Sequence, residues 1–272
     1  MQVKEMFGRR ARRAALPLAA VVAACAALPA GASATDYVRV RVEGQTSTLR
    51  AETRVAIGTG SGYANQYGTS TQLPIRCRDN TAAEALEQAT RGSWDRRTFI
   101  ETIERETHRF APGSWGIFIN RNYADWGICD LRLRDGDSLV FQATTYDPNP
   151  NYRPYSPILQ WTGANPTVVS IGTSFSLTLT RWDVPNTPDT PDPAYPPGTH
   201  WLTPASTSSA ASGYTVTDGT YRQTTNGSGV ATFTISTPGT YTFKGSIPGS
   251  STNWSRSLPW TVCVEDPNDP TC

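Results

Sequence analysis

Helical periodicity is clear at only one place in this chain, so most of the fold has to be built from strands and turns. Four small or apolar residues repeat at the i, i+3, i+4, i+7 spacing of one helix face, namely Ala82, Ala85, Leu86 and Ala89. Residues 79–81 before them are candidate N-caps. Elsewhere the apolar residues occur in short segments separated by turn-forming Gly, Pro, Asn and Asp. The sequence therefore predicts a mainly β fold with one helix.

In the first part of the chain, strand patterns surround this helix. Residues 37–43 alternate apolar and charged side chains, so the valines share one face of a half-buried strand. A second strand region is predicted at 46–57. Further strands are predicted at 99–110, 115–123 and 138–143. The outline β-β-α-β-β-β predicts an α+β domain over residues 35–146.

The second part has an all-β composition. Strands are predicted at 168–180, 231–235, 241–244 and 258–264, and short strands with frequent turn signals are typical of a β-sandwich. We therefore expect a sandwich over 158–272, joined by a linker at 147–157 that is rich in Pro and Asn. The insertion 184–198 holds six prolines and is predicted to be a surface excursion or an edge connection.

The first 34 residues have the pattern of a secretory signal. Basic residues precede an apolar run at 14–28, and the small residues 32–34 form a cleavage site before Thr35. The apolar run is shorter than the roughly 20 residues of a membrane-spanning helix. These features predict a secreted, extracellular protein. Residues 22–25 also resemble a bacterial lipoprotein box, so membrane anchoring through a lipid on Cys25 is an open alternative.

The charge balance argues against two classes of partner. The signal segment holds five of the 24 Lys and Arg and one of the 23 Asp and Glu, so the remaining chain has 19 basic and 22 acidic residues. The net charge is then −3, and the basic residues are scattered. Nucleic acid and an anionic bilayer are excluded as partners, because the sequence has no cluster of basic residues to bind them.

Four cysteines follow the signal segment: Cys77, Cys129, Cys263 and Cys272. An even number in an exported chain is typical of disulfides, and no pair has the CxxC spacing of a zinc or redox site. Three pairings are possible. Chain order favours Cys77 with Cys129 and Cys263 with Cys272, because each pair then lies within one candidate domain.

No common catalytic motif occurs in the sequence, neither Gly-x-Ser-x-Gly nor His-Glu-x-x-His nor a Walker loop. On one strand, Glu104, Glu106 and His108 would share a face and form an acid/base or metal cluster. A solvated strand face is the favoured interpretation, because no second histidine or carboxylate motif with zinc-ligand spacing lies near. The loop 58–62 superficially suggests a phosphate cradle but lacks the Lys, and we expect it to be flexible. We expect no metal and no cofactor.

Aromatic residues are the remaining candidates for ligand binding, because flat rings stack on sugars and are frequent at protein interfaces. The chain has eight Trp and eleven Tyr. Trp115 and Trp161 are predicted to pack in the core. Four tryptophans stand among Gly, Ser, Asp or Asn and are predicted to be exposed ligand-binding candidates, namely Trp94, Trp126, Trp201 and Trp254.

Four segments carry a resemblance to a known family: 77–86, 115–120, 127–129 and 133–139. They are similar to the bacterial domain of unknown function related to the C-terminal domain of transcobalamin. That family has a small-residue helix, a Trp- or Tyr-led strand ending in Val-Asn-Gly, and a Gly-Asp turn. Here Asn120 matches, whereas Arg121 replaces the Gly. The resemblance implies a β-grasp-like domain, which in the transcobalamins caps a corrinoid.

The tail from 216 to 272 resembles the immunoglobulin-like repeats of actinobacterial secreted proteins. It has a Gly-x-Ala-Thr strand, a Pro-Gly-Thr-Tyr turn and a closing Val-Cys-Val. This resemblance implies a surface or adhesion-type module.

These observations predict a non-enzymatic exported protein of the bacterial cell envelope that binds a protein or glycan. Two alternatives stay open. One is an envelope hydrolase that uses Glu104, Glu106 and His108. The other is a module that binds a small corrinoid-like ligand.

Overall fold

The computed structural model describes residues 35–60, 62–64, 75–109, 113–124, 126–147, 153–191, 201–247, 249–250 and 253–267. Residues 1–34, with Cys25 and the predicted signal segment, lie outside this part, as do Cys272 and residues 192–200. Residues Thr35–Cys272 form one compact unit. The predicted mainly β fold with a single helix is confirmed. Among the described residues, no helix has the length and apolar character needed to cross a membrane.

The elements of the first half are β1 (Tyr37–Glu43), β2 (Thr48–Ala56), β3 (Tyr63–Ala64), β4 (Ile75–Arg76), α1 (Ala82–Thr90), β5 (Thr102–Ile103), β6 (Glu106–Thr107), β7 (Ser114–Ile119), β8 (Asn122–Tyr123), β9 (Ser138–Thr144) and β10 (Tyr146–Asp147). The second half has β11 (Arg153–Pro154), β12 (Ile158–Thr162), β13 (Val168–Ser170), β14 (Ser174–Asp183), β15 (Thr190–Pro191), β16 (Trp201–Leu202), β17 (Thr207–Ala210), β18 (Thr215–Thr217), β19 (Arg222–Thr224), β20 (Val230–Thr234), β21 (Gly239–Ser246) and β22 (Trp260–Glu265).

The first sheet has the strand order β2-β1-β9-β7-β8. Strand β1 runs parallel to β9 and antiparallel to β2. Helix α1 packs on one face, where its alanines and Leu86 meet the valines of β1 in the core. The disulfide predicted between Cys77 and Cys129 is present, with Cα atoms 5.0 Å apart. Cys263 is also disulfide-bonded.

The prediction of one continuous strand at 99–110 is wrong. The chain there forms a tight hairpin of β5 and β6, with Glu104 and Arg105 at its turn. Both turn residues have positive φ, 49° and 70°, as a two-residue hairpin turn requires. Because the chain reverses at Glu104, this residue does not share a strand face with Glu106 and His108.

The second half forms two sheets that pack face to face. One contains β12, β14, β17 and β20, and the other has the order β13-β22-β21-β18-β19. Their common core holds Phe175, Phe233 and Phe243 with buried aliphatic residues. The strands predicted at 168–180, 231–235, 241–244 and 258–264 all occur, although the first is divided into β13 and β14.

Both faces of the first sheet are covered around Arg41 and Glu43, which corrects the prediction of a half-buried β1 for this part of the strand. Arg41 and Glu43 point away from α1, yet they are 3 % and 1 % exposed. Strand β12 covers this second face, where Ile158 packs with Phe118 and Val140. The Gln142 amide there donates hydrogen bonds to the chain at 156–157 and to the hydroxyl of Ser255.

The short pairs β10–β11 and β15–β16 lie outside the large sheets. The first pairs the two ends of the segment 147–153, within the region predicted as a linker. The second pairs Thr190–Pro191 of the proline-rich insertion with Trp201–Leu202. The domain limits 35–146 and 158–272 stay predictions.

Candidate functional site

A pocket of about 480 Å³ lies where β12 covers the first sheet. We call it the arginine pocket and define it by six of its lining residues: Arg39, Arg41, Glu52, Arg121, Gln160 and Leu258. Its volume is in the range of small-molecule sites, which is about 300–1,000 Å³.

The local sequence explains how the arginines reach this pocket. Because side chains alternate along a strand, the valines of β1 face α1, whereas Arg39 and Arg41 face β12. Arg121 belongs to the turn between β7 and β8, at φ 76°. This turn lies at the edge of the same face, so three guanidinium groups come together from two separate elements.

Arg41 is the least satisfied charged side chain of the pocket. Its Nε lies 3.4 Å from Oε1 of Glu43, an ion pair without a hydrogen bond. Both Nε and Nη1 are buried and have no hydrogen-bond partner among the described residues. Burial lowers the pKa of Arg41, and the charges of Glu43 and Glu52 oppose this shift. A buried donor without a partner costs about 1–3 kcal/mol, so these two nitrogens lower the stability of the fold.

The carboxylate of Glu43 is shared between Arg41 and a second arginine. Its Oε2 accepts a hydrogen bond from the Thr48 hydroxyl at 2.9 Å and lies 4.0 Å from Nη1 of Arg256. Burial raises the pKa of Glu43, and the nearby cations oppose this shift, Arg41 foremost. Two guanidinium groups therefore face one carboxylate at this point.

The other two arginines add further positive charge. Arg121 stacks on the ring of Trp182 at 4.3 Å and donates from Nη1 to Oε1 of Gln160 at 2.9 Å. These contacts hold its guanidinium across the boundary between the first sheet and β12. The Arg39 side chain is exposed and makes no ion pair within the described part of the chain. Glu52 is the one acidic residue among the lining residues.

A second pocket of about 330 Å³ adjoins the arginine pocket. It shares Arg41, Glu52 and Leu258 with it, and Ala51 and Pro259 add apolar surface. We call it the apolar pocket. Its charged lining residues balance, since Arg41 and Lys244 stand against Glu43 and Glu52.

An aromatic groove of about 150 Å³ lies on another part of the first sheet. It is lined by Phe99, Trp115, Tyr123, Trp126 and Tyr146 among others. Phe99 is 75 % exposed, and Trp126 is half-buried. Among the four tryptophans predicted to be exposed, Trp126 lines a concave surface.

Two of the other tryptophans are buried, which corrects their predicted exposure. Trp94 packs in the core of the first half and is 7 % exposed. Its Nε1 donates to Oε2 of Glu87 at 2.8 Å, and the same carboxylate binds Arg96. Trp254 is 8 % exposed and packs against His108, with ring centroids 5.5 Å apart. Polar neighbours in the sequence therefore do not mark these two rings as exposed. The side chain of Trp201 lies outside the described part.

The predicted acidic and histidine cluster is assembled only in part. Oε1 of Glu106 lies 2.5 Å from Nε2 of His108 and also accepts from the backbone N–H of Gln45 at 2.6 Å. His108 is 8 % exposed, and its ring contacts Trp115 edge-on at 5.1 Å. Glu104 pairs with Arg50 instead. Across the described residues, no group of three or more His, Cys, Asp or Glu is arranged to hold a metal ion.

The glycine-rich loop binds an internal anion. The backbone N–H groups of Gly58, Thr59 and Gly60 donate to the Glu84 carboxylate at 3.0, 2.5 and 2.9 Å. Glu84 is fully buried. The loop is therefore ordered at 58–60, which differs from the flexible loop expected, and its cradle is filled by a side chain of helix α1.

Comparisons of the chain with protein-family models, curated proteins and solved structures find no match. The family resemblances in the sequence therefore stay predictions. Arg39 and Arg41 belong to no motif, and sequence reasoning missed them. One signal was present, since Arg121 stands where the resembled family has Gly.

Proposed function

We propose that this chain is a non-enzymatic binding protein of the bacterial cell envelope and that the arginine pocket holds an anionic ligand. One observation carries the proposal, namely the buried Arg41 guanidinium with unused donors beside a pocket of ligand size. Hydrogen bonds between a guanidinium and an anion are short and about twice as strong as neutral ones. An anion in the pocket supplies the partners that the fold leaves out.

The charge distribution supports an anionic ligand. Three arginines and one glutamate line the pocket, although the chain after the signal segment carries a net charge of −3. A local excess of positive charge on an acidic protein raises the local concentration of small anions. Because Arg121 is already held by Trp182 and Gln160, little side-chain entropy is lost when a ligand binds.

Isothermal titration calorimetry of the chain from Thr35 tests the proposal with citrate, inorganic phosphate and octanoate. At least one of these anions should bind, and Arg41→Gln should weaken it tenfold or more. Arg222→Gln is the matched control, because Arg222 is exposed on β19 and remote in sequence from the pocket residues. Absence of binding by all three anions, or equal binding by Arg41→Gln, contradicts the proposal.

The location outside the cytoplasm is tested separately. Mass spectrometry of the mature N-terminus should give a chain that begins at Thr35, after cleavage at the predicted site. An acylated N-terminal Cys25 instead establishes the membrane-anchored form. The disulfide between Cys77 and Cys129 supports an oxidising compartment in either case.

A second candidate function is glycan binding at the aromatic groove. The exposed ring of Phe99 beside Trp126 favours it, because sugars stack on flat aromatic faces. Cosedimentation with purified peptidoglycan tests it. Phe99→Ala should abolish cosedimentation if the groove binds glycan, whereas Arg41→Gln should leave it unchanged.

A further inference from the structure

We infer that the ligand is an amphiphilic monocarboxylate, with its head group on Arg41 in the arginine pocket and its apolar chain in the apolar pocket. This inference rests on the proposed function, since it names the chemical class of the anion that the same site binds.

The two pockets share part of their lining, including Arg41. Both are lined by Arg41, Glu52 and Leu258, so one elongated ligand that passes Arg41 contacts both. A carboxylate group has about the volume of two water molecules, roughly 60 Å³. The two pockets, of about 480 and 330 Å³, are therefore far larger than a head group alone requires.

The charges fix the direction of the ligand. The arginine pocket has three arginines against Glu52, whereas the cations and anions of the apolar pocket balance. The anionic head is therefore stabilised on the side of Arg39 and Arg121. The alkyl chain of the ligand then lies along Ala51, Leu258 and Pro259, where burial of CH₂ groups is favourable.

The surroundings of Arg41 favour a single negative charge. Its Nε already lies beside Glu43, which leaves Nη1 as the donor without any partner among the described residues. The planar fork of a guanidinium matches the two oxygens of a carboxylate. A dianionic phosphate is disfavoured, because Glu43 and Glu52 both lie near the same guanidinium and repel a second negative charge.

Calorimetry of the chain from Thr35 with butanoate, hexanoate and octanoate tests the inference on the wild-type protein. Affinity should rise roughly fourfold for each added CH₂, which corresponds to about 0.8 kcal/mol. Octanol, the neutral analogue, should bind at least tenfold more weakly than octanoate. Octyl phosphate should bind more weakly than octanoate at pH 8, where it carries two charges.

Three variants distinguish contacts with the ligand's head group from contacts with its alkyl chain. Arg41→Lys keeps the charge but removes the planar fork, and it should weaken octanoate tenfold or more. Leu258→Ala should flatten the dependence of affinity on the length of the alkyl chain. Glu52→Gln should strengthen octanoate because it removes a competing carboxylate. Thermal melting curves verify that each variant is folded, and the chain-length series needs no variant.

The outcomes distinguish the inference from the proposed function. If citrate or phosphate binds through Arg41 while the affinity for carboxylates does not depend on alkyl-chain length, the inference of an amphiphilic ligand is wrong. The proposal of an anion site then still holds. Tighter binding of octyl phosphate than of octanoate overturns the carboxylate assignment alone. If no anion binds, the inference and the proposed function both fail.

Discussion

Arg256 donates a hydrogen bond from Nη1 to the carbonyl oxygen of Gly44 at 2.7 Å, across 212 positions of the chain. Its Nη2 donates to the carbonyl oxygen of Gln45, also at 2.7 Å. The same side chain lies 4.0 Å from Glu43. One arginine near the end of the chain thus satisfies backbone groups that directly follow β1, and it fastens the second half of the chain to the first sheet.

Arg256→Ala should lower the free energy of unfolding by about 2–4 kcal/mol, because it removes charged hydrogen bonds and leaves Glu43 with one cation fewer. Urea unfolding followed by tryptophan fluorescence measures the change. The control Arg222→Ala removes an exposed arginine and should change stability by less than about 0.5 kcal/mol. Equal effects of both substitutions mean that Arg256 does not hold the two parts together.

His108 is expected to act in packing. Its ring lies against Trp115 and Trp254, so His108→Ala opens a cavity and should destabilise the protein by about 2–3 kcal/mol. Glu106→Gln keeps a side-chain oxygen for the N–H of Gln45 and should cost less. Both variants are also assayed on peptide and glycan substrates. A wild-type hydrolytic activity that both variants lose without a change in stability supports the hydrolase alternative instead.

Periodicity predicted β1 and its valine face correctly, but not the burial of Arg41 and Glu43. An alternating pattern distinguishes the two faces of a strand and does not show what lies against the second one. That cover comes from β12 and from residues near Arg256, more than 100 positions away along the chain. Because the pocket forms between these distant parts, the sequence pattern could not locate it.

The hairpin of β5 and β6 was missed for a different reason. Its turn has Glu104 and Arg105 at positive φ, where Gly, Asn or Asp is usual. Without a turn-forming residue, the segment has the pattern of one long strand. The ion pair of Glu104 with Arg50 accompanies this uncommon turn, and it involves a residue of β2 that local patterns do not connect to it.

The bond between Cys77 and Cys129 should contribute about 4 kcal/mol, because it closes a sequence separation of 52 residues in the unfolded chain. The double variant Cys77→Ser/Cys129→Ser should therefore unfold at a clearly lower urea concentration. Reductant should destabilise the wild-type chain more than it destabilises the double variant, in which the bond at Cys263 is still present. If reductant affects both proteins equally, the Cys77 bond adds nothing to stability.

Glu84 should make the protein sensitive to acid. Burial alone raises the pKa of Glu84, but hydrogen bonds from Thr59, Gly58 and Asn80 outweigh it and hold the pKa below its ordinary value of 4.5. A lowered pKa in the folded state means that this stabilisation is complete above pH 4.5 and is lost as the pH falls through the folded-state value.

The measurement for Glu84 is the free energy of unfolding between pH 7 and pH 3. Glu84→Gln should reduce it by about 2 kcal/mol at pH 7 and should lose less stability than the wild type on acidification. Asp130→Asn removes one exposed carboxylate and should follow the wild-type profile. Parallel acid profiles for Glu84→Gln and the wild type contradict the prediction.

Substitutions at Gly229 and Gly172 distinguish the cost of backbone strain from the cost of a steric clash. Both have nearly the same positive φ, 75° and 73°. A Cβ atom on Gly229 comes closer than 3.0 Å to the backbone carbonyl oxygen of Leu179, whereas a Cβ on Gly172 meets nothing within 4 Å. Leu179 also donates its N–H to the carbonyl oxygen of Gly229 at 2.9 Å, so neither backbone can move away without losing this bond.

Gly172→Ala should therefore cost only the left-handed conformation, about 1–2 kcal/mol. Gly229→Ala should cost more than about 3 kcal/mol, because β14 has to shift as well. Urea unfolding of the two variants measures the difference, and equal losses would show that strain alone determines the cost at both glycines.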